Sequence, residues 1–361
     1  MSGSPVYMPV WSYGLQRLPM LGKFLELPVR TALLPTRRNL NAGWVGWGEK
    51  ASAKCAAWYA KRTGGRLIRL EDGFLRSFGT GDRFPALSLV VDDEGIYFNS
   101  TRPSALENLL NSSEDLLAGV GAEVRLARSL MLTHRLSKYN HAPLLDTHAL
   151  RPGDVQRVLV VDQTDGDLSV KLGGSGKDTF AAMFAAARRE NPQATIYIKT
   201  HPEVSSGRKR GYLTHIRDGQ RIKVLRMDVN PLSLIEQMDK VYVVTSLMGF
   251  EALLAGKPVT VFGMPWYAGW GVTDDRRVCP RRVRQHSVDV LFAAAYLRYA
   301  RYLNPVTYQR GTIFDVIDWL VRQRRMAFPE LDQENCTLRP PIFIHGNVAK
   351  KMGGLEEHAN G

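Results

Sequence analysis

The sequence predicts an α/β protein of two domains, the second of which is built on a parallel, doubly wound sheet. Its 361 residues exceed what a single hydrophobic core usually holds. In the second half, short apolar runs typical of buried strands alternate with segments of helical periodicity. Polar residues gather where these runs end, as expected at the ligand-binding edge of a parallel sheet.

The second half gives the most regular pattern. A glycine-rich connection, 173–176, leads into a segment on which apolar residues repeat at helical spacing. The predicted strands are 158–161, 196–199, 222–225, 241–244 and 259–262, and the predicted helices are 177–190, 232–239 and 247–255. This alternation is what favours a parallel sheet covered by helices.

The first half is less regular, and residues 1–40 show no clean period. A short strand is predicted at 44–48, a helix at 51–62, a buried strand at 67–70 and a helix from 114 to about 138. The runs 87–92 and 96–98 are separated by Asp-Asp-Glu-Gly, which predicts a hairpin.

Proline and glycine mark the expected domain boundary. Residues 139–153 are loop-like and contain Pro143, Pro152 and Gly153. We therefore expect an N-terminal domain at 1–150 and a second domain at 151–285. A C-terminal part at 286–328 follows, helical at 288–303 and 312–325, and then an irregular tail at 329–361.

Composition narrows the classes of partner. The net charge is +13, and residues 281–325 contain nine arginines but only Asp289, Asp315 and Asp318 as acids. A nucleic acid, an anionic membrane surface, an anionic substrate, or a solvated basic face without a partner would each suit this charge. Because no helix-turn-helix, zinc or RNP pattern is present, we expect no nucleic acid partner.

Other sequence classes are not expected either. No run of eighteen apolar residues occurs, and the apolar stretch 15–27 is broken by charges, so neither a membrane span nor a signal peptide is predicted. Cys55, Cys279 and Cys336 are widely spaced and odd in number, which indicates neither a disulfide framework nor a zinc site and fits a reducing compartment.

Two strand ends of the second domain carry candidate site residues. The strand 158–161 is followed by the polar turn 162–167, which ends on Asp167, and the strand 196–199 leads to His201 and Pro202. Since ligands bind beyond the carboxyl ends of parallel strands, Asp167 and His201 are candidates for one cleft. Asp167 could instead only cap a turn, and a lone histidine is more often structural.

A third strand end offers an anion site. Thr245 and Ser246 stand between the strand 241–244 and the next helix, where hydroxyls and free backbone N–H groups could bind a phosphate. Plain N-capping by Ser246 is the alternative. Glu251 could accept hydrogen bonds from ribose hydroxyls, or could face solvent. There is no GxGxxG or GxxxxGK[ST] pattern, so a dinucleotide fold or P-loop ATPase is not expected.

The first domain has its own constellation. The strand 67–70 ends on Glu71 and Asp72, followed by Gly73, Arg76 and Ser77. Adjacent carboxylates at a strand end are typical of an active site, although a turn with a helix N-cap would use the same residue types.

Together these motifs resemble the bacterial capsule polysaccharide β-Kdo glycosyltransferases of the KpsC type. The resemblance covers roughly residues 10–325, and this chain holds one module that looks most like the first of the two that such proteins usually carry. The motifs are Glu71-Asp-Gly-Phe-Leu-Arg-Ser77, Val161-Asp-Gln-Thr-x-x-Asp-x-Ser169, Lys199-x-His-Pro202, Thr245-Ser-x-x-Gly-Phe-Glu-Ala-Leu-Leu-Ala-Gly-Lys-Pro258, Phe262-Gly-x-Pro-Trp-Tyr-Ala-x-Trp-Gly-x-Thr-Asp-Asp-Arg276 and Ala293-Ala-Ala-Tyr-Leu-Arg-Tyr299.

The resemblance implies a GT-B architecture, with two Rossmann-like domains facing a cleft and C-terminal helices crossing back. It implies transfer of Kdo from CMP-Kdo, with retention, to a Kdo-terminated lipid primer of the phosphatidylglycerol type. We expect no cofactor or metal, because no DxD motif stands in a matching context and helix dipoles with His201 can carry the charge of the leaving group. It also implies a cytoplasmic enzyme, peripheral on the inner face of the inner membrane, and suggests capsule assembly proteins as partners. We expect the basic stretch 281–325 to contact anionic lipid. A non-catalytic Kdo-lipid-binding module and a nucleotide-sugar epimerase of GT-B type are the alternatives.

Residue roles follow from the resemblance and from the needs of a retaining reaction. Retention requires either two inversions or an attack on the same face. Two inversions require a carboxylate nucleophile, for which we choose Asp167, with Glu71 as general base and Asp72 as its alternative. His201 would stabilise the leaving phosphate. The expected donor-binding residues are Gln163, Thr164, Lys199 (for the Kdo carboxylate), His201, Pro202, Thr245, Ser246 and Glu251 (for the ribose), and the expected acceptor-binding residues are Arg76, Ser77 and Arg102.

Overall fold

The chain folds around two β-sheets, as a computed structural model shows. The structure describes residues 6–329 except 19, 32–38, 40 and 82, so almost all of the predicted tail lies outside the described residues. The strands of the second sheet all come from the middle of the chain, whereas the first sheet takes strands from both ends. The predicted α/β class is confirmed.

The first sheet has seven described strands in the order β13-β12-β5-β4-β3-β1-β2. They are β1 (Met8–Val10), β2 (Val29–Thr31), β3 (Trp44–Trp47), β4 (Leu67–Asp72), β5 (Ser88–Asp92), β12 (Ala300–Leu303) and β13 (Arg310–Gly311). Strands β1 to β4 pair in parallel, and β5, β12 and β13 are added antiparallel. Because β4 extends to Asp72, Glu71 and Asp72 are the last residues of a strand and not the start of the loop.

The second sheet has six described strands, all parallel, in the order β11-β10-β9-β6-β7-β8. They are β6 (Arg157–Val161), β7 (Thr195–Lys199), β8 (Ile222–Leu225), β9 (Lys240–Val243), β10 (Val259–Val261) and β11 (Asp274–Asp275). The chain winds outward from β6 through β7 to β8 and then returns to β9 on the other side. The order of the strands therefore reverses between β6 and β9, which is where doubly wound sheets bind ligands.

Helices cover these sheets and fill the space between them. The described helices are α1 (Tyr13–Gln16), α2 (Leu21–Leu25), α3 (Ala51–Thr63), α4 (Ala105–Asn111), α5 (Gly121–Thr133), α6 (Leu168–Leu172), α7 (Lys177–Glu190), α8 (Pro202–Ser205), α9 (Pro231–Glu236), α10 (Met248–Leu254), α11 (Val288–Phe292) and α12 (Ile313–Ala327). Helix α7 has the predicted bounds, because Phe180, Met183 and Ala187 form one apolar stripe that is fully buried against the second sheet.

Two predictions about secondary structure are wrong. The segment 96–98 is not a strand, because Oδ1 of Asp92 accepts the backbone N–H groups of Glu94 and Gly95 and turns the chain away from β5. The edge of β5 is instead paired by β12, so the last part of the predicted helix 288–303 is a strand. A π-helix, Ala293–Tyr299, precedes that strand. The pairing with β5 supplies backbone hydrogen bonds that the helical pattern alone cannot anticipate.

One hydrophobic cluster contains residues of both sheets and of the C-terminal segment. Phe74, which follows β4, packs with ring centroids 5.1 Å from Trp266 and 5.2 Å from Tyr296. Phe250 lies 4.5 Å from Trp266 and 5.8 Å from Tyr296. These four rings come from four motifs that the sequence singled out, and the structure places them in the core. The boundaries at 150 and 285 stay a prediction.

Candidate active site

The reversal of strand order between β6 and β9 brings Gln163 and Thr245 together. The backbone N–H of Thr245 donates to Oε1 of Gln163 at 3.0 Å, and Nε2 of Gln163 donates to the Thr245 hydroxyl at 3.1 Å. The hydroxyls of Ser169 and Thr245 are 3.2 Å apart. Residues from the loops after two neighbouring strands therefore form one polar cluster at the edge that ligands favour.

Asp167 joins this cluster while it also begins helix α6. Its Oδ1 accepts the backbone N–H of Ser169 at 2.8 Å as an N-cap, and Nε2 of Gln163 lies 3.4 Å from Oδ2. Asp167 is half-buried. Asp167 therefore does cap a helix, but capping uses only one carboxylate oxygen. The other oxygen faces the Gln163–Thr245 pair.

His201 stands at the end of β7 and is the N-cap of helix α8. Its Nδ1 accepts the backbone N–H of Glu203 at 3.2 Å, so in the neutral ring the proton is on Nε2, which is left to donate. Burial lowers the pKa of His201, an effect that Lys199 reinforces and that the charges of Glu203 and Asp167 oppose. The neutral form therefore predominates at pH 7 and presents an N–H donor.

The glycine-rich connection packs closely against this site. A Cβ on Gly173 would come within 2.6 Å of the Thr245 methyl group, and one on Gly263 within 2.7 Å of the Val244 carbonyl oxygen. The backbone of 173–176 can approach the end of β9 only because these positions lack side chains. The remaining predicted residues of this edge are Thr164, which is buried, Pro202, which is the exposed first residue of α8, and Ser246, whose Oγ accepts the Met248 N–H at 3.3 Å.

Two charged residues of the second sheet bond inward. The ammonium of Lys199 donates to the carbonyl oxygens of Thr200 at 2.8 Å and Met227 at 3.1 Å, and burial lowers the pKa of Lys199 to about 8. Asp162 accepts three backbone N–H groups, from Gln163, Tyr212 and Leu213, and burial raises the pKa of Asp162 to about 6. Asp162 fixes the loop after β6, whereas the predicted contact between Lys199 and a sugar carboxylate stays a prediction.

Glu251 does not face solvent. It is 2% exposed, and its carboxylate accepts a hydrogen bond from the Ser137 hydroxyl, a residue of the segment that follows helix α5. Burial raises the pKa of Glu251 to about 7, although the hydrogen bonds from Ser137 and from the Lys138 backbone oppose this. Glu251 thus links the two parts of the molecule, and the predicted ribose contact stays a prediction.

At the end of β4, Glu71 and Asp72 lie side by side. Oε1 of Glu71 accepts the Asp72 N–H at 3.1 Å. Burial raises the pKa of Glu71, an effect that the positive charge of Lys138 opposes and that Asp72 reinforces. A carboxylate with a raised pKa is a better proton acceptor near neutral pH, as a general base requires.

The predicted acceptor-binding residues are already engaged in internal contacts. Nε of Arg76 lies 2.7 Å from Oδ1 of Asp72, and Nη1 donates to Ser77 and to the Phe84 carbonyl. The hydroxyl of Ser77, which is 2% exposed, donates to the Gly79 carbonyl at 2.7 Å. Arg102 pairs with Glu49. Their role in binding an acceptor stays a prediction, and it would need N–H or O–H groups that are not used in these internal contacts.

The two halves of the site are connected through the first part of the chain. The backbone N–H and the hydroxyl of Ser100 both donate to the Leu172 carbonyl, at 3.1 Å and 2.9 Å. Leu172 ends the helix that Asp167 begins. This contact orients the Asp167 loop toward the segment that carries Asn99 and Arg102. Within the described ranges, no group of three or more His, Cys, Asp or Glu side chains is arranged to hold a metal ion.

A family model described as "Capsule polysaccharide biosynthesis protein" matches residues 43–157 and 127–310. The chain belongs to this family. Among solved structures, the β-Kdo 2,4 transferase of Thermosulfurimonas dismutans KpsC is 44% identical, with a TM-score of 0.81 over 88% of this chain and 99% of that one. The β-Kdo 2,7 transferase of the same protein is 27% identical, with a TM-score of 0.62 over 89% and 99%. The predicted membership of the KpsC type is confirmed.

Longer family relatives are known. The capsule polysaccharide modification protein LipA of Neisseria meningitidis serogroup A is 50% identical over 316 residues, which are 84% of this chain and 43% of LipA. The lipopolysaccharide-processing protein LpsZ of Rhizobium meliloti is 42% identical over 264 residues, which are 72% of this chain and 59% of LpsZ. This family member thus spans less than half the length of LipA. Among its described helices, none is long and apolar enough to cross a bilayer.

Sequence reasoning missed three residues of the site. Ser169 lies in a quoted motif for which the sequence suggests no role. Ser137 and Lys138 fall at the end of the predicted helix 114–138, but the observed helix α5 ends at Thr133 and leaves both residues in a loop. Long-range hydrogen bonds hold that segment beside the end of β4 and beside Glu251, since the Lys138 carbonyl accepts from the backbone of Arg76 and Ser77 and the Ser137 hydroxyl donates to Glu251.

Proposed function

We propose that this chain is a retaining β-Kdo transferase that uses CMP-Kdo and a Kdo-terminated lipid primer. The single observation that carries the proposal is the cluster of Asp167, Gln163, Thr245 and Ser169 at the reversal point of a parallel sheet, with His201 on the adjacent strand. Its resemblance to a protein whose solved structure is a β-Kdo 2,4 transferase supports the choice of sugar. The two sheets, each with its helices, would be the two Rossmann-like domains of a GT-B enzyme.

In this proposal the donor lies on the second sheet. The Nε2–H of His201 and the Thr245–Ser246 segment bind the CMP phosphate, with Gln163, Thr164 and Pro202 lining the site. A carboxylate oxygen of Asp167 attacks the anomeric carbon, the bond to the phosphate oxygen breaks, and its electron pair leaves with CMP. An acceptor hydroxyl then attacks the same carbon, its proton passes to Glu71, and the bond to Asp167 breaks. Two inversions give retention.

One assay tests the reaction against its two alternatives. The protein is incubated with CMP-Kdo, generated in situ, and a Kdo-terminated acceptor, and CMP and a larger product are measured. We expect both. A non-catalytic module would give neither, and a nucleotide-sugar epimerase would leave CMP-Kdo unchanged. We also expect full activity in excess EDTA, and loss that magnesium restores would contradict the proposal of a metal-free site.

A second experiment tests the covalent step. Intact-protein mass spectrometry of a Glu71→Gln variant with CMP-Kdo should show one added Kdo, because the second step lacks its base. Peptide mapping should place it on the peptide that contains Asp167. An adduct on the peptide with Glu71 or Asp72 would reverse the two roles.

We propose further that a short part of the basic region contacts the membrane. Within 281–325, most arginines are already paired, for instance Arg281 and Arg282 with Glu107 and Arg310 with Glu26. The loop 276–284, which overlaps the start of this region, differs in exposure, since Val278 and Val283 are 88% and 76% exposed. The exposed Arg277 and Arg284 beside them donate to the backbone carbonyl oxygens of Gly174 and Asn111 and not to carboxylates. These four residues line part of an open cavity of about 300 Å³. Exposed aliphatic side chains among arginines suit an anionic lipid surface.

Vesicle co-sedimentation tests this contact. We expect the protein to bind anionic vesicles more strongly than neutral ones and the double variant Arg277→Glu, Arg284→Glu to lose that preference. The matched control is Arg188→Glu, Arg189→Glu, which makes the same charge change on exposed positions of α7. Equal binding to neutral vesicles, or an equal loss in the control, would contradict the proposal.

A further inference from the structure

The segment Ser137–Asn140, between helix α5 and the second half of the chain, is held on three sides. Asn140 is fully buried, and its amide donates to the carbonyl oxygens of Ser77 at 3.0 Å and Ser137 at 2.8 Å. The Ser137 hydroxyl donates to Glu251. The backbone N–H groups of Arg76 and Ser77 donate to the Lys138 carbonyl at 3.1 Å and 3.3 Å. The backbone of Lys138 is therefore fixed at the junction of β4 and α10.

The side chain of Lys138 extends from this fixed backbone into the half of the site that holds Glu71. It interacts electrostatically with Glu71 and Asp72 and with the phenols of Tyr97 and Tyr139, and its Nζ lies 5.8 Å from the Tyr139 ring centroid. The residue is half-buried, so its ammonium is not a freely solvated surface group.

The arginines of this half-site are already paired with carboxylates. Arg76 pairs with Asp72 at 2.7 Å, and Arg102 and Arg69 both pair with Glu49. In the part of the chain that the structure describes, no carboxylate oxygen lies within 4.0 Å of the Lys138 ammonium, so Lys138 forms no salt bridge there. Lys138 thus holds a positive charge close to two carboxylates without being bonded to either.

We propose that Lys138 binds the carboxylate of the acceptor sugar and so positions the acceptor hydroxyl at Glu71. This inference rests on the proposed function, in which the acceptor ends in a sugar acid. Such an acceptor is anionic and must approach Glu71 and Asp72, which repel it. A cation held by its backbone, with its ammonium unpaired, offsets that repulsion and fixes one end of the sugar.

The charges around Lys138 agree with this role. Burial alone would lower the pKa of Lys138, but Tyr97, Tyr139, Asp72 and Glu71 together raise it above the usual lysine value, so the ammonium stays charged. After burial, Lys138 has the largest influence on the pKa of Glu71, which it lowers. Lys50, which is exposed, also lowers it, but its influence is smaller. The Lys138 ammonium would therefore both attract the acceptor and help to keep the general base, Glu71, ionised.

The test compares two acceptors with two variants. Binding of a soluble β-Kdo glycoside and of its carboxamide analogue is measured by titration calorimetry in the presence of CMP. For the wild-type protein we expect the carboxylate to bind about 10- to 100-fold more tightly, as for other hydrogen bonds to charged groups. Lys138→Met should remove this preference while the weak binding of the carboxamide is unchanged, and Lys138→Arg should retain much of it.

Kinetics supply a readout that a merely structural role would not move. Lys138→Met should raise KM for the acceptor with little change in KM for CMP-Kdo, and should shift the acid limb of the pH profile upward, since Glu71 loses the cation that lowers its pKa. Lys50→Met is the matched control and should leave the preference between the two acceptors unchanged.

The outcomes separate this inference from the function on which it rests. If the wild-type protein binds the β-Kdo glycoside but Lys138→Met loses equally in binding both acceptors, or loses nothing, the assignment of Lys138 is wrong. If Lys50→Met removes the preference instead, the carboxylate lies at Lys50. If the wild-type protein neither binds the glycoside nor releases CMP from CMP-Kdo, the proposed function fails and the assignment fails with it.

Discussion

At the scale of single residues, Asp167 combines a structural and a proposed chemical role. One carboxylate oxygen caps helix α6, and the other faces Gln163. Capping and nucleophilic attack make different demands, because an amide oxygen can cap a helix as well as a carboxylate can but cannot form a stable glycosyl ester. The two roles can therefore be separated by substitution.

We expect Asp167→Asn to abolish transfer while leaving stability within a few tenths of a kcal/mol, since asparagine is an equally good N-cap. Asp167→Ala should also abolish transfer but should lower the free energy of unfolding by about 1 kcal/mol. Urea unfolding and CMP binding measured on both variants check this. Substantial transfer by Asp167→Asn would exclude Asp167 as the nucleophile.

Glu71 supports a prediction about pH. Because burial raises the pKa of Glu71 above the usual value of 4.5, the base should lose its charge at a pH above 4.5 as the solution is acidified. We expect the acid limb of kcat/KM for the acceptor to report this titration and to disappear in Glu71→Gln, whose residual rate should be roughly 100- to 10,000-fold lower. An unchanged acid limb in the variant would assign it to another group.

The sequence predicts residues well where their position follows from strand order. Asp167, His201 and Thr245 follow strands of one parallel sheet, so their proximity could be predicted from alternation alone. The environment of Glu251 and the engagement of Arg76 and Ser77 could not, because each depends on which loop packs against it. No local sequence pattern marks Lys138. Its position depends on the neighbouring Ser137, which is bonded to Asn140 and to the distant Glu251.

At the scale of elements, helix α12 supports the site from behind. Arg324, on its last turn, is 3% exposed and donates to the Asn140 carbonyl at 2.8 Å. Through Asn140 the helix thus braces the segment that carries Lys138. The cluster of C-terminal arginines that suggested a lipid surface includes at least one residue whose role is internal.

We expect Arg324→Met to lower the free energy of unfolding by about 2 kcal/mol, because it leaves a buried carbonyl without its donor. Activity should fall as well, since the Ser137–Asn140 segment loosens. The control is Arg322→Met on the same helix, an exposed residue paired with Asp318, where a change of less than about 0.5 kcal/mol is expected. Equal effects of the two substitutions would show that Arg324 does not brace the site.

Elements were predicted best where periodicity and burial coincide. Helix α7 and the strands of the second sheet meet this condition, whereas β1 and β2 are only three residues long and gave no period. Strand β12 was missed because its residues continue the helical pattern of the preceding segment, and only the open edge of β5 makes them a strand.

At the scale of the whole molecule, Glu251 joins the two sheet-based units through Ser137. Its pKa of about 7, against 4.5 for an ordinary glutamate, means that the folded protein binds a proton there more tightly than the unfolded chain does. Between these two pH values the unfolded chain has released the proton and the folded protein still holds it. The contribution of Glu251 to the free energy of unfolding therefore falls as the pH rises from 4.5 to about 7.

We expect the free energy of unfolding of the wild-type protein, relative to Glu251→Gln, to fall by on the order of 3 kcal/mol between pH 4.5 and pH 8. Denaturant unfolding of both proteins at several pH values measures this difference. A difference that does not depend on pH would mean that Glu251 titrates alike in both states.

The aromatic contacts between Phe74, Trp266 and Tyr296 constrain how the protein can turn over a substrate. A wide hinge opening between the two units would bring these rings into water, and burial of a ring stabilises by several kcal/mol at about 25 cal/mol per Å². Each 1.4 kcal/mol lowers the population of an open state tenfold. We therefore expect product release to proceed by small sliding of packed helices and by movement of the loops at the sheet edges. The contacts between Phe74, Trp266 and Tyr296 should stay closed throughout the catalytic cycle.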